Sequence, residues 1–200
     1  MRVTGVKVGL AALVMSAVAM PPARATTMLQ MSLEQLSTRS DRIFRGTVIY
    51  VERGALSAGG GTVPTVTYRV RVDEEFKGKF EPVKEGVTVV EIRMVAAAKE
   101  DAKLTGGVRH VSLFRDVPRL ESGKEYLLFM TAQSRIGLST TVGLGQGAFG
   151  LVHQGKDKAA VNGVDNAGLF RGMQTTARFS GRGPITYSEL ASRLRAILGR

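Results

Sequence analysis

The chain of 200 residues has no cysteine and only two histidines, His110 and His153. Without thiols there can be no disulfide staples, thiolate zinc site, cysteine nucleophile or lipidated N-terminal cysteine. Neither histidine lies in an H-E-x-x-H arrangement, the spacing that puts two imidazoles on one helix face for zinc. G-x-x-x-x-G-K-[ST] and G-x-S-x-G are also missing, which removes the sequence signs of a phosphate-binding loop and of a nucleophile elbow. No repeat of a solenoid or propeller is visible. Long apolar runs are scarce too: beyond Met20 nothing approaches the roughly 20 residues that a membrane-spanning helix requires, so no transmembrane segment is expected in the mature chain.

At the N-terminus, Arg2 and Lys7 precede an uncharged stretch from Val8 to Met20, closed by Ala23-Arg24-Ala25. A basic start, a short apolar stretch and a small-x-small site form the pattern of a secretory signal peptide. The rival reading, a membrane anchor, asks for a longer run than this one. The expectation is export, with cleavage near Ala25, a functional chain from Thr26 and a periplasmic or extracellular location. Residues 1–25 carry Arg2, Lys7 and Arg24 and no acid, so 25 basic and 17 acidic side chains remain, a net charge of +8. The basicity belongs to the exported part, which is long enough to build a core of its own.

Periodicity after residue 25 predicts a mainly β protein. Ser32-Leu33-Glu34-Gln35 fits a capping box opening a short helix to about Arg39. From Asp41 the period becomes two, with Phe44, Gly46, Val48 and Tyr50 on one face and Ile43, Arg45, Thr47, Ile49 and Val51 on the other. Ser57 to Pro64, with three consecutive glycines, reads as a mobile hairpin loop. The next strand sets Val66, Tyr68, Val70 and Val72 against a wet, basic face containing Arg69 and Arg71. Val87–Met94 is rich in β-branched residues, and Tyr126–Met130 is the nearly continuous apolar run of a central strand. Between them, Ala96–Val117 accommodates a short helix and an irregular strand near Val108–Phe114. Thr140–Val152 is expected as a strand bent by Gly143, Gly145, Gly147 and Gly150. His153–Lys158 and Asn162-Gly163 read as successive hairpin turns, the second favouring positive φ. Arg171–Pro184 lacks periodicity and reads as a linker. Thr186-Tyr187-Ser188-Glu189 is a second capping box, before an apolar stripe of Tyr187, Leu190, Leu194 and Ile197 that calls for a docked helix. The domain plan is therefore 1–25 signal peptide, 26–170 β domain, and 171–200 basic linker and C-terminal helix.

Three segments, Asp41-Arg42-Ile43-Phe44-Arg45-Gly46-Thr47-Val48, Val72-Asp73-Glu74-Glu75-Phe76-Lys77-Gly78 and Gly123-Lys124-Glu125-Tyr126-Leu127-Leu128-Phe129, together resemble netrin-like and tissue-inhibitor-of-metalloproteinase domains, and bacterial exported proteins of similar layout. Over Asp41 to Phe149 the resemblance implies an all-β fold with minor α content: a closed or partly open antiparallel barrel of the oligonucleotide/oligosaccharide-binding (OB) type. Function does not follow from a barrel. The animal inhibitors set an N-terminal cysteine on the protease zinc, whereas the expected N-terminus here is Thr26, so that inhibitory wedge does not carry over.

Candidate chemistry is sparse. Gly145-Gln146-Gly147-Ala148-Phe149-Gly150 formally matches G-x-G-x-x-G, but Leu151 and Val152 continue an extended pattern where a dinucleotide site needs a helix. Asp73-Glu74-Glu75 would alternate between strand faces rather than converge on a calcium ion. Glu52, Asp73, Glu91, Asp101 and Asp116 have no spacing that requires a glycosidase pair. No catalytic residue, metal ligand or cofactor is assigned. The signal above background is basic: Arg171, Arg178, Arg182, Arg193, Arg195 and Arg200 face only Glu189 within the last thirty residues. The arginine fork suits carboxylate and phosphate, so with Arg69 and Arg71 these residues form the expected binding set, Arg200 aside. An even alternative is a solvated cationic face. The partners this favours are an acidic protein or an anionic envelope polymer. Tyr50, Tyr68, Phe44, Phe76 and Phe129 fall on apolar faces, which argues against the stacked aromatics of a nucleic-acid groove. The overall expectation is a non-enzymatic exported binding or accessory protein. The rivals are a hydrolase or other enzyme assembled only in the fold, and a partner or inhibitor of a secreted protease. Expressed from its first residue in a bacterium, the chain should be recovered outside the cytoplasm with Thr26 as its first residue by N-terminal sequencing; a cytoplasmic protein retaining residues 1–25 would refute export.

Overall fold

The computed structural model describes residues 29–83, 86–96, 117–173 and 181–200. The expected signal peptide, the Val108–Phe114 stretch, His110 and Arg178 lie outside the described residues. Helix α1 (Leu33–Arg39) begins as its sequence requires: the Ser32 hydroxyl accepts from the Gln35 amide, and the Gln35 side chain accepts from the Ser32 amide. Eight strands follow: β1 (Arg42–Ala58), β2 (Gly61–Lys77), β3 (Pro82–Val83), β4 (Val87–Val95), β5 (Glu125–Met130), β6 (Ala148–Gln154), β7 (Asp157–Asn162) and β8 (Ile185–Thr186). Helix α2 (Tyr187–Ile197) closes the described chain.

The strands lie in the order β3-β4-β2-β1-β5-β6-β7-β8, with every pairing antiparallel. The protein is thus β-rich with minor α content. Its sheet is not closed by strand pairing among the described residues. The segment after β5 nevertheless crosses towards β4: the Val142 amide donates to the Phe129 carbonyl at 2.8 Å, and the Ser139 amide donates to the Arg93 carbonyl at 2.9 Å.

β5 is buried on both faces because its side chains alternate between two cores. Leu127 and Phe129 join Ile43, Phe149, Leu151 and the helical residues Leu36, Leu190 and Leu194; Leu128 and Met130 join Phe44, Val70, Ile92 and Met94. The apolar run of β5 and the two-faced start of β1 were both readable from the sequence for this reason. α2 buries Leu190, Ala191 and Leu194 against the first of these cores, each leucine contributing about 1.5–3 kcal/mol on transfer from water.

Four details depart from the sequence reading. Ser57–Pro64 is not a loop: β1 runs to Ala58, β2 starts at Gly61, and Gly59 and Gly60, at φ +59° and +77°, make a two-residue turn. Positive φ at both positions matches the twist of the strands, and only glycine adopts it without strain. The pairing register slips between Val48 and Tyr50, so Tyr50 leaves the apolar face and is 44% exposed. Thr140–Gly147 is not strand: it folds into turns and a single 3₁₀ turn over Leu144–Gly147, entered through Gly143 at φ +63°. After β7 the chain makes successive turns rather than a tight hairpin, and the positive φ falls on Asp165 and Asn166, not on Gly163. The buried Asn166 side chain braces these turns by donating to the carbonyls of Ala160 and Gly183, both at 2.9 Å. Leu190→Ala is expected to lower stability by about 2–5 kcal/mol, read as a shift in the urea midpoint, whereas Val152→Ala, 66% exposed, should stay within about 0.5 kcal/mol. Equal effects would refute the placement of the core under α2.

Candidate functional site

Among the described residues, the arginines singled out in the sequence are engaged by separate partners. Arg69 and Arg71 lie on the outward face of β2 and are already paired: Arg69 Nε stands 3.4 Å from Glu91, and Arg71 Nε donates to Asp73 at 2.9 Å. The Arg69 guanidinium also lies 5.1 Å from the centroid of the Tyr50 ring. In the C-terminal part, Arg171 donates to Gln30 at 3.0 Å and is exposed. Arg182 is exposed. Arg193 is largely covered. It donates to Glu189 one turn earlier at 2.9 Å and lies 4.5 Å over the Phe170 ring. That use of Glu189 replaces the reciprocal half of the second capping box; only the Thr186 hydroxyl caps, accepting from the Glu189 amide.

Arg195 crosses to β2 and pairs with Glu74. Glu74 is the junction of the charged network. Its carboxylate accepts from the Tyr187 hydroxyl at 2.6 Å and from Arg45 Nε at 3.3 Å. Arg45 Nη1 in turn donates to Glu125 at 2.5 Å, and Glu125 accepts from Lys158 Nζ at 2.6 Å. The Arg45 guanidinium lies 5.3 Å from the Tyr187 ring centroid. β1, β2, β5, β7 and α2 are tied together by one chain of charge-assisted hydrogen bonds, of the stronger kind.

The electrostatics follow from this geometry. Burial works against the Glu74 charge, but the hydrogen bonds from Tyr187 and Arg195 and the nearby positive charges outweigh it and hold the carboxyl below its ordinary value. For Tyr187, burial comes first and the bond to the Glu74 carboxylate second; together they push the phenol well above its usual range. A depressed carboxyl contributes stability above its unfolded pKa and loses it as pH falls, whereas a raised phenol loses its contribution at alkaline pH. These shifted groups face one another, and their shifts are those of a structural ion-pair network.

No motif in the sequence marks three buried amides that organise the region after β5. Gln146, 2% exposed, accepts from the Met31 amide at 2.8 Å and donates to the Leu29 carbonyl at 3.1 Å. The G-x-G-x-x-G stretch therefore grips the segment before α1, while Leu151 and Val152 continue as strand. Asn162 donates to the Gln146 carbonyl and accepts from the Asn166 amide.

A cavity of about 400 Å³ is walled by Val95, Val117, Leu138 and Leu144, with the hydroxyl residues Ser134 and Thr140 in its lining. The Thr140 hydroxyl is buried with no hydrogen-bond partner. Among the described residues, its lining has no ionisable side chain. His153 is exposed on the β6–β7 hairpin. Among the described residues, no group of three or more acidic or histidine side chains is arranged to hold a metal ion.

The far ends of β1 and β2 form an open ribbon. β5 pairs with β1 only from Arg42 to Thr47, but β1 continues to Ala58. From Tyr50 to Ala55 the ribbon is exposed, and it displays Ile49, Tyr50 and Val51 at 37–48% exposure. Glu74→Gln is expected to lose about 1.5–3 kcal/mol at neutral pH, the worth of hydrogen bonds to a charged group. The gap from the parent should narrow as pH falls below 4.5, the ordinary glutamate value. Urea melts across pH check this, and a gap independent of pH would refute the assigned role of Glu74.

Compared with known proteins, the chain matches no family model and no curated protein.

Proposed function

We propose that this chain is an exported, non-enzymatic binding or accessory protein, built as a partly open OB-type barrel of netrin-like kind, that engages an acidic protein or anionic component of the cell envelope. The observation that carries the reading is the β1–β2 ribbon. Burying apolar surface is the main source of stability, yet Ile49, Tyr50 and Val51 are held out in water on a ribbon that outruns its neighbour β5. Such a display suits contact with another molecule.

The barrel part of the reading is supported by the Ser139 amide on the Arg93 carbonyl, which bridges from the β5 side of the sheet to β4. Export rests on the pattern of residues 1–25. Binding to an acidic partner is supported by net charge and by its distribution, since Arg53, Arg171 and Arg182 lie at exposed positions. Arg193 and Arg195 contribute differently, by holding α2. Against the enzyme reading stands the geometry of Glu74 and Tyr187, two groups of shifted pKa that are bonded to each other.

Mature protein from Thr26, immobilised and exposed to envelope and medium extracts, is expected to retain a defined anionic partner. A variant with Arg171, Arg178 and Arg182 changed to Gln, and another with Arg69→Gln and Arg71→Gln, divide the surface between tail and strand. Retention should weaken in at least one variant and with rising salt, since exposed charges are screened beyond about 10 Å at 0.1 M. Nothing specific retained by the parent protein would overturn the reading.

A further inference from the structure

The outer edge of β1 has a property that its sequence alone does not declare. In an antiparallel pair, residues alternate between exchanging backbone hydrogen bonds with the partner strand and aiming those groups away from it. Two observations fix the phase. Val48 aims away from β2, since its amide donates to the Lys124 carbonyl at 3.0 Å and its carbonyl accepts from the Gly123 amide at 2.8 Å. Pro64 also aims outwards from the ribbon, since its carbonyl accepts from Ala96 at 2.9 Å; its cross-strand partner is Ala55. With the slip between Val48 and Tyr50, alternation assigns the outward backbone groups of β1 to Val51, Arg53, Ala55 and Ser57. None of these has a backbone partner on that side among the described residues.

The two edges of the ribbon are treated differently. The β2 edge is blunted by Pro64, which has no amide to offer, and by Ala96. From Ile49 to Ala58 the β1 edge contains neither proline nor lysine, the usual guards of an exposed edge. The side chains there are chemically marked. On the face shared by Val51, Arg53, Val66 and Tyr68, a small concavity is completed by Arg119 and Leu120, and its lining has two arginines and, among the described residues, no carboxylate.

We infer that the β1 edge from Val51 to Ser57 is a docking strand for an extended segment of a partner protein, which adds to the sheet in β fashion with an acidic side chain next to Arg53 and an apolar one next to Val51. This deepens the proposed binding role and rests on it. Backbone pairing supplies affinity in such augmentation, and alternate side chains supply specificity. Charge separates this occupant from a second copy of the chain. In a two-fold antiparallel pairing within one sheet, opposed residues must lie on the same face, so their numbers share parity. Glu52 then never stands opposite Arg53. The central registers oppose Val51, Glu52 or Arg53 to itself, and the Val51 register leaves Arg53 opposite Ile49, the extra residue at the register slip. No two-fold register gives Arg53 a carboxylate directly opposite.

The test uses the mature protein, labelled for NMR, and a synthetic ten-residue peptide alternating valine and threonine around one aspartate. The expected result is slowed amide exchange at Val51, Arg53, Ala55 and Ser57 on titration. Replacing the aspartate with lysine should weaken binding about tenfold, the size expected for about 1.4 kcal/mol. Ala55→Pro, which copies Pro64 across the ribbon and removes one outward amide without touching a β1–β2 hydrogen bond, should do the same. A peptide N-methylated at alternate amides gives an independent control on unaltered protein. Exchange unchanged at saturating peptide, or binding indifferent to both backbone blocks, overturns the inference. So does a concentration-dependent dimer abolished by Ala55→Pro, which would give the edge to a second copy. If Ala55→Pro retains the envelope partner as well as the parent does, the edge inference fails and the broader binding role stands; if the parent retains nothing, that role fails.

Discussion

β1 and β5 are of unequal length, and the rest of the molecule is arranged around that mismatch. Where the six residues of β5 lie beside β1, both faces of the sheet are covered: α1, α2 and the Phe149 side form one core, and the curled β1-β2-β4 face forms the other. Where β5 ends, β1 has no further strand on that side among the described residues. The same strand is thus buried on both sides at Ile43 and Phe44 and exposed at Tyr50 and Val51. The register slip after Val48 marks the change: one extra residue in a strand increases local twist and re-aims the side chains beyond it.

Charge in this protein is organised by that division. At the covered end, Glu74 and Glu125 draw Arg45, Lys158, Arg195 and the Tyr187 hydroxyl into one network. α2 would otherwise be held mainly by its apolar stripe, which fixes its burial better than its rotation or register. Hydrogen bonds to Glu74 from both ends of the helix, Tyr187 and Arg195, select one position along β2. A formal count overstates the basic surface for this reason: Arg193 and Arg195 neutralise carboxylates within the fold, and Arg69 and Arg71 sit beside Glu91 and Asp73.

How far the sequence was legible follows the range of the interactions. The capping box at Ser32 is local, and it formed as read. The second box has the same spacing at Thr186 and Glu189, but Arg193 one turn on takes the glutamate, a competition that a four-residue motif does not contain. Alternation placed Val66, Tyr68 and Val70 correctly in the core; it failed at Tyr50, because a register slip belongs to the pair of strands and neither sequence carries a mark of it. Three glycines at 59–61 looked like a loop because composition cannot distinguish a disordered turn from a two-residue turn with long strands on either side. The buried Gln146, Asn162 and Asn166 were invisible for another reason: each bonds backbone groups brought near only by the fold, as Gln146 does with Leu29 and Met31, 117 and 115 positions away.

The same distinction bears on where binding specificity resides. A basic chain draws anions to itself at long range, and salt screens that attraction; net charge therefore governs encounter more than choice. Choice requires fixed geometry. In the described residues, fixed geometry and unpaired backbone coincide on the ribbon, where the two-residue turn and the β2 ladder hold the β1 edge extended while leaving its outward amides without a backbone partner. At the other end, the arginine network is equally fixed, but its donors are already matched to acceptors. Under the proposed binding role, attraction of an acidic partner would fall to the whole surface and its register to a strand edge that has a single arginine, Arg53, among its outward-facing residues.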